Sequence, residues 1–77
     1  MKAYVLIKIR PGEIGEVVRQ LRRLEGVIEA NMTFGPYDAV AIVQAADTRR
    51  LGDLLSMGIQ PVPGVLETRT CLAVEGL

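Results

Sequence analysis

A chain of 77 residues is expected to form one domain, residues 1–77, whose thin core buries roughly 60% of its unfolded surface. Nine Lys and Arg balance nine Asp and Glu, which argues against the basic stripe of a nucleic-acid binder. With no histidine, and Cys71 as the only cysteine, the commonest general base is missing and an intrachain disulfide is impossible.

The elements follow in chain order. Residues 3–9, AYVLIKI, alternate as a strand, with Val5, Ile7 and Ile9 on one face and Tyr4, Leu6 and Lys8 on the other. Pro11 and Gly12 make a turn, and Glu13 and Glu16 suit the positive end of a helix. That helix is expected over 13–25. Ile14, Val17, Val18, Leu21 and Leu24 form one apolar stripe, and Gly26 is placed to turn the chain out of it. Residues 27–34 alternate as a half-buried strand, with Ile28, Ala30, Met32 and Phe34 against Glu29, Asn31 and Thr33. After Gly35-Pro36-Tyr37-Asp38, residues 39–45 are apolar on both faces, as in a central strand. Asp47 or Thr48 caps a second helix with a Leu51, Leu54, Leu55 stripe, and Gly58 is placed to stop it. A loop stiffened by Pro61 and Pro63 leads into a last strand over 65–74.

The order is β-α-β-β-α-β, and the chain repeats itself weakly. GVIEA at 26–30 recurs as GVLET at 64–68, an offset that also lays Ala3-Tyr4-Val5 on Ala41-Ile42-Val43. Two β-α-β units make an α+β, ferredoxin-like sandwich, a four-stranded antiparallel sheet in the order 4-1-3-2 with both helices on one face. Strands 1 and 3 are apolar on both faces, so the face without helices needs cover. A second copy is the simplest cover, and a homodimer is expected, sheet to sheet or edge to edge.

Chemistry is sparse. Cys71 inside a strand reads as a small buried hydrophobe, with only Arg69 as a basic neighbour on its face. No Cys-x-x-Cys is present to hold a soft metal, and RPGEIG at 10–15 lacks the lysine of a phosphate loop. No adjacent aromatics on strands 1 and 3 offer an RNA-stacking platform. The basic clusters Arg19/Arg22/Arg23 and Arg49/Arg50 read as solvated helix faces. No catalytic residue, metal site or cofactor is therefore expected, and the chain is not expected to be an enzyme. Neither a direct nucleic-acid partner nor a membrane partner is expected. No apolar run approaches the ~20 residues of a membrane span, and the start of the chain lacks signal-peptide architecture. With the single cysteine, a reducing cytoplasm is the expected location.

In the Gly35–Asp38 tip, Gly35 supplies positive φ, Pro36 presets the next φ, and Asp38 accepts backbone N–H bonds. Tyr37 is the residue that a turn does not need. Its phenol packs back on the fold, meets a neighbouring subunit, or lines a small pocket.

Gly26-Val27, the Gly35-Pro36-Tyr37-Asp38 turn, Asp47, and Gly64-Val65 with Thr68 and Thr70 stand in an order that resembles the effector-binding (RAM) domain of the Lrp/AsnC transcription regulators. The resemblance covers essentially residues 3–74. It implies domains that dimerise through their sheets, dimers that assemble into larger rings, and small effectors, usually amino acids, held between dimers. Carried over by position, the ligand-binding candidates are Gly35, Tyr37, Asp38, Thr68 and Thr70. Nothing resembling the family's helix-turn-helix precedes strand 1, which implies a stand-alone effector domain, able to sense a metabolite alone or to join full-length Lrp/AsnC regulators. Two alternatives stand beside this reading. IRPGEIGEVV resembles the turn of ACT-type amino-acid-binding domains, which would move the site to Arg10–Gly15. A purely structural oligomerisation module would bind no ligand at all. An enzyme of the dimeric α+β barrel kind is disfavoured by the lack of histidine.

Overall fold

The computed structural model describes residues 1–76; Leu77, the last residue of the expected domain 1–77, lies outside the described residues. The elements are β1 (Lys2–Ile9), α1 (Ile14–Arg22), β2 (Val27–Met32), β3 (Ala39–Gln44), α2 (Thr48–Asp53) running on into a π-helical segment (Leu54–Ile59), and β4 (Val65–Leu72). The strands form one antiparallel sheet ordered β2-β3-β1-β4, which is the expected 4-1-3-2 read from its other edge.

Alternation along β1 buries Ala3, Val5, Ile7 and Ile9 on one face. The β3 register places Ala39, Ala41 and Val43 beside them. Val17, Val18 and Leu21 of α1, with Leu51 and Ile59 of the second helical stretch, complete a single apolar cluster. Both helices therefore cover the same sheet face. Burying a side chain such as Leu21 contributes about 1.5–3 kcal/mol.

The repeat is visible in the packing. Gly26 (φ +98°) enters β2, and a Cβ there would stand 3.0 Å from a Leu54 methyl of the other half. Gly64 (φ +102°) enters β4, and a Cβ there would stand 2.9 Å from Val17 Cγ2 of α1. Each half thus lays its glycine against the helix of the other.

Several boundaries differ from the expectation. Helix α1 ends at Arg22 rather than 25, in tight turns where Arg23 and Leu24 N–H donate to Gln20 and Leu21 carbonyls. Asp47 caps α2 as expected, its Oδ1 accepting the Arg50 N–H at 2.8 Å. Gly58 does not stop the helix. The turn widens instead, Gln60 N–H donates to the Leu55 carbonyl, and Ile59 ends the segment wholly buried. Strand β2 ends at Met32, β3 at Gln44 and β4 at Leu72. In β2 only Ala30 is buried, while Ile28, Met32 and Phe34 are exposed. A register shift between Val27 and Glu29 takes Ile28 out of the alternation, and Phe34 lies beyond the strand. Cys71 is exposed, not buried, because it sits on an edge strand and points away from the helices.

Candidate functional site

The site is built on the β2–β3 hairpin and the sheet face opposite the helices. The register puts Tyr4, Leu6 and Lys8 of β1, Val40 and Ile42 of β3, and Glu67, Arg69 and Cys71 of β4 on that face. Leu6, Val40 and Ile42 are only half-buried there. This matches the expectation of a sheet apolar on both sides. The rim is charged: the Lys2 ammonium lies 5.4 Å from the centre of the Tyr4 ring, and Arg69 pairs with Glu67 at 3.3 Å.

At the end of this face the hairpin folds over. Thr33 N–H donates to the Asp38 carbonyl at 3.0 Å, and Thr33 Oγ1 donates to the Tyr37 carbonyl at 2.8 Å. Gly35 has φ +142°, and a Cβ added there would meet nothing within 4 Å, so its backbone rather than crowding calls for glycine. Lys8 Nζ reaches across to donate to the Pro36 carbonyl at 3.0 Å. Asp38 turns inward. Its N–H donates to the Ile7 carbonyl, and its carboxylate accepts the Ile9 N–H at 2.7 Å. The carboxylate thus completes the hydrogen bonding of β1 where the sheet runs out.

Over this frame lies an open cleft of about 340 Å³ lined by Leu6, Thr33, Phe34, Gly35, Pro36, Tyr37 and Val40. Its walls are mostly carbon, and Phe34 is fully exposed at its lip. Arg69 of β4 stands opposite Leu6 in the ladder, on the same sheet face. The Arg69 guanidinium is held above the usual arginine range, first by its hydrogen bond with Glu67 and then by the Tyr37 phenol. An apolar hollow with a phenol in its lining, and a guanidinium across the ladder from Leu6, suits a small molecule with an apolar part and an anionic group.

Of the five candidates, Gly35 and Tyr37 share this cleft. Asp38 lies beneath it with its carboxylate committed to Ile9. Thr68 and Thr70 pair with Ile7 and Val5, which puts them on the helix-covered side of the sheet. Thr68 Oγ1 accepts from Gln60 Nε2 at 3.4 Å and lines a separate cleft of about 280 Å³ with Gln60, Val65, Leu66 and Glu67. The hairpin residues and the threonines therefore lie on opposite faces of the sheet. Leu6, Thr33, Phe34, Val40 and Arg69 were not among the candidates. The signal for Leu6 and Val40 was present in the two-sided apolarity of β1 and β3. Arg69 and Phe34 depended on tertiary placement. The Arg10–Gly15 turn holds an Arg10–Glu13 ion pair at 3.1 Å, with Gly12 at φ +86°. Among the described residues, no cluster of three or more His, Cys, Asp or Glu is placed to hold a metal ion, and no helix is long and apolar enough to cross a membrane.

Residues 2–77 match the model of the Lrp/AsnC ligand binding domain. The HTH-type transcriptional regulator FL11 of Pyrococcus abyssi is 32% identical over 75 residues, covering 97% of this chain and 49% of the regulator. The chain thus spans about half the length of that relative. Among solved structures, TTHA0845 of Thermus thermophilus is 34% identical with a TM-score of 0.93, covering 99% of this chain and 95% of that one. The transcriptional regulator NMB0573 of Neisseria meningitidis, solved as an L-Met complex, shares the fold at a TM-score of 0.86 and 14% identity, covering 96% of this chain and 49% of that one.

Proposed function

This chain belongs to the Lrp/AsnC ligand binding domain family, and from that premise we propose that it is an oligomeric regulatory module binding a small effector of the amino-acid class. The observation that carries the reading is the apolar cleft under the Gly35–Asp38 hairpin, with Tyr37 in its lining, Phe34 exposed at its lip and Arg69 opposite its lining residue Leu6 in the ladder. An amino acid would lay its side chain against Leu6 and Val40 and bring its carboxylate toward Arg69. The structurally similar NMB0573, solved with L-Met, supports the ligand class.

The separation of Tyr37 from Thr68 and Thr70 adds a second part to the proposal. A site that uses both groups draws them from two copies of the chain. The open sheet face, with Tyr4, Leu6, Val40 and Ile42 uncovered by helices, supports assembly into at least a homodimer. Larger rings, and mixed assemblies with full-length Lrp/AsnC regulators, extend the same proposal. The premise concerns a family of regulatory ligand-binding domains, and the chain's part is recognition rather than catalysis.

The test is a thermal-shift screen of the purified protein against the twenty amino acids, with solution mass measured in parallel. A ligand at about 100 times its Kd adds ~2.7 kcal/mol of stability. Tyr37→Ala and Arg69→Gln are expected to abolish a stabilising hit while leaving the unliganded transition nearly in place. A stable oligomer that no amino acid stabilises would refute the sensor and favour a structural assembly module.

A further inference from the structure

A second hollow, on the β2 edge, holds a cation and an anion side by side. It has a volume of about 360 Å³ and is lined by Arg22, Val27, Ile28, Glu29, Ala30 and Asn31, none of which lines the hairpin cleft. Arg22 leaves the last turn of α1 and donates from Nε to the Ala30 carbonyl at 2.8 Å. That bond fixes the guanidinium. Its other side-chain contact is a long one, from Nη2 to Asn31 Oδ1 at 3.5 Å. Among the described residues, no carboxylate pairs with Arg22. A planar fork of donors, held in place and not neutralised, suits a carboxylate. Asn31 Nδ2 donates to Glu29 Oε2 at 2.6 Å, so a primary amide stands between the cation of the hollow and its anion. In antiparallel ladders alternate residues aim their backbone groups at the neighbour and the others aim outward. Thr33 N–H donates to the Asp38 carbonyl, so the alternation turns the Ala30 N–H outward along this edge. Ile28, 60% exposed, supplies an apolar wall.

The second half of the chain repeats the arrangement. The offset that lays GVIEA on GVLET also lays Arg22 on Gln60, Ile28 on Leu66, Glu29 on Glu67 and Ala30 on Thr68, and these partners line the smaller cleft on β4. There too a side chain at the end of a helical stretch donates to the strand, Gln60 Nε2 to Thr68 Oγ1. There too the carboxylate is held by the residue two places on, Arg69. Glu29 and Glu67 are both exposed and pack against no core, so the fold needs neither of them. Arg22 in place of Gln60 puts a cation into the lining of the β2 hollow.

We infer that the β2 hollow is a binding site for a short peptide zwitterion, a dipeptide with an aliphatic side chain. The peptide carboxylate accepts from the Arg22 fork and from the outward Ala30 N–H, and the ammonium donates to Glu29. The aliphatic side chain rests on Val27 and Ile28. Asn31 selects the class. A free α-amino acid carries both charges on one carbon. A dipeptide sets them apart by an amide, which pairs with the Asn31 amide lying between Arg22 and Glu29. The site shares no lining residue with the hairpin cleft, so it stands or falls without the effector reading.

The experiment titrates isotope-labelled protein, followed by its amide NMR signals, with alanyl-leucine, its C-terminal amide, its N-acetyl form and free leucine. Alanyl-leucine is expected to shift the Val27, Ile28 and Ala30 amides. The two capped forms each lack one charge and are expected to bind about ten-fold more weakly. Arg22→Gln, which installs the residue of the other half, and Glu29→Gln are each expected to weaken alanyl-leucine about ten-fold, while Tyr37→Ala leaves this titration unchanged. Glu29 is exposed, so its variant keeps the test decisive if Arg22→Gln does not fold. Silence at these amides, capped forms that bind as well as the dipeptide, or free leucine binding there as tightly overturns the dipeptide site and leaves the effector reading to its own screen. An empty amino-acid screen with these shifts intact removes only the effector reading.

Discussion

Asp38→Ala removes one acceptor and leaves a specific donor stranded. In the wild type the carboxylate accepts the Ile9 N–H at 2.7 Å, and Ile9 is 3% exposed. Truncation leaves that N–H without its partner at the end of β1, while the backbone bonds from Thr33 to Asp38 and from Asp38 to Ile7 survive. The cost of a buried donor left unsatisfied is about 1–3 kcal/mol. For a domain of this size each kcal/mol is worth about 4–8 °C of melting temperature. With a urea m-value of about 1 kcal/mol per molar, the midpoint falls by about 1–3 M. Asp38→Asn keeps an oxygen in the same place and is expected to lose less than half as much. The assay is equilibrium urea unfolding followed by far-ultraviolet circular dichroism, at fixed protein concentration because assembly shifts apparent stability. A midpoint unchanged in Asp38→Ala, or equal losses in the alanine and asparagine variants, would refute the assignment. The same arithmetic makes Asp38 a poor probe of ligand binding, since its removal loosens the hairpin with or without an effector.

Two further outcomes follow from the packing and the surface charges. Gly64→Ala combines a backbone at φ +102° with a Cβ 2.9 Å from Val17 Cγ2, and is expected to cost about 2–3 kcal/mol, against about 1 kcal/mol for Gly12→Ala, which has a positive φ in open space. Paired urea curves check this, and equal losses at the two glycines would remove the case for close packing at Gly64. Glu16 is held below the usual carboxylate range, first by its hydrogen bond from Arg19 and then by Gln20. Its small stabilisation is therefore present above the unfolded carboxylate value and is lost as pH falls through the folded value. A carbon-detected NMR titration is expected to show the Glu16 midpoint rising in Arg19→Gln and in high salt, and a midpoint indifferent to both would contradict the ion pair.

Much of the architecture was legible because the relevant forces are local. The Val17, Val18, Leu21 stripe, the Asp47 cap and the alternation of β1 each need only neighbours in sequence, and the glycine repeat fixed the symmetry of the two halves. What escaped depends on where an element sits. Ile28, Met32 and Phe34 alternate correctly, but β2 is an edge with a register shift, so their period carries no burial. Cys71 read as buried from composition, yet an edge strand on the uncovered face leaves it exposed. Gly58 read as a stop because helix signals assume α-helical spacing, and the π-helical segment accommodates it. In the candidate cleft Gly35 was legible from turn chemistry, and Tyr37 stood out as the residue that a turn does not need. Asp38's bond to Ile9 spans 29 residues, and no spacing rule reveals it.

The position of β1 in the sheet also sets the order in which the chain folds. The first strand lies between β3 and β4, so both of its partners are distant in sequence, the second of them by about 60 residues. Until Val65–Leu72 docks, one side of β1 is an open ladder flanked by apolar residues. Sheets closed by such distant segments fold more slowly than helical bundles and expose their edges while they wait. The uncovered edge of β1 is therefore the surface through which the folding molecule can mispair, and a β4 substitution that slows its docking would lower the refolding yield by more than its effect on native stability accounts for.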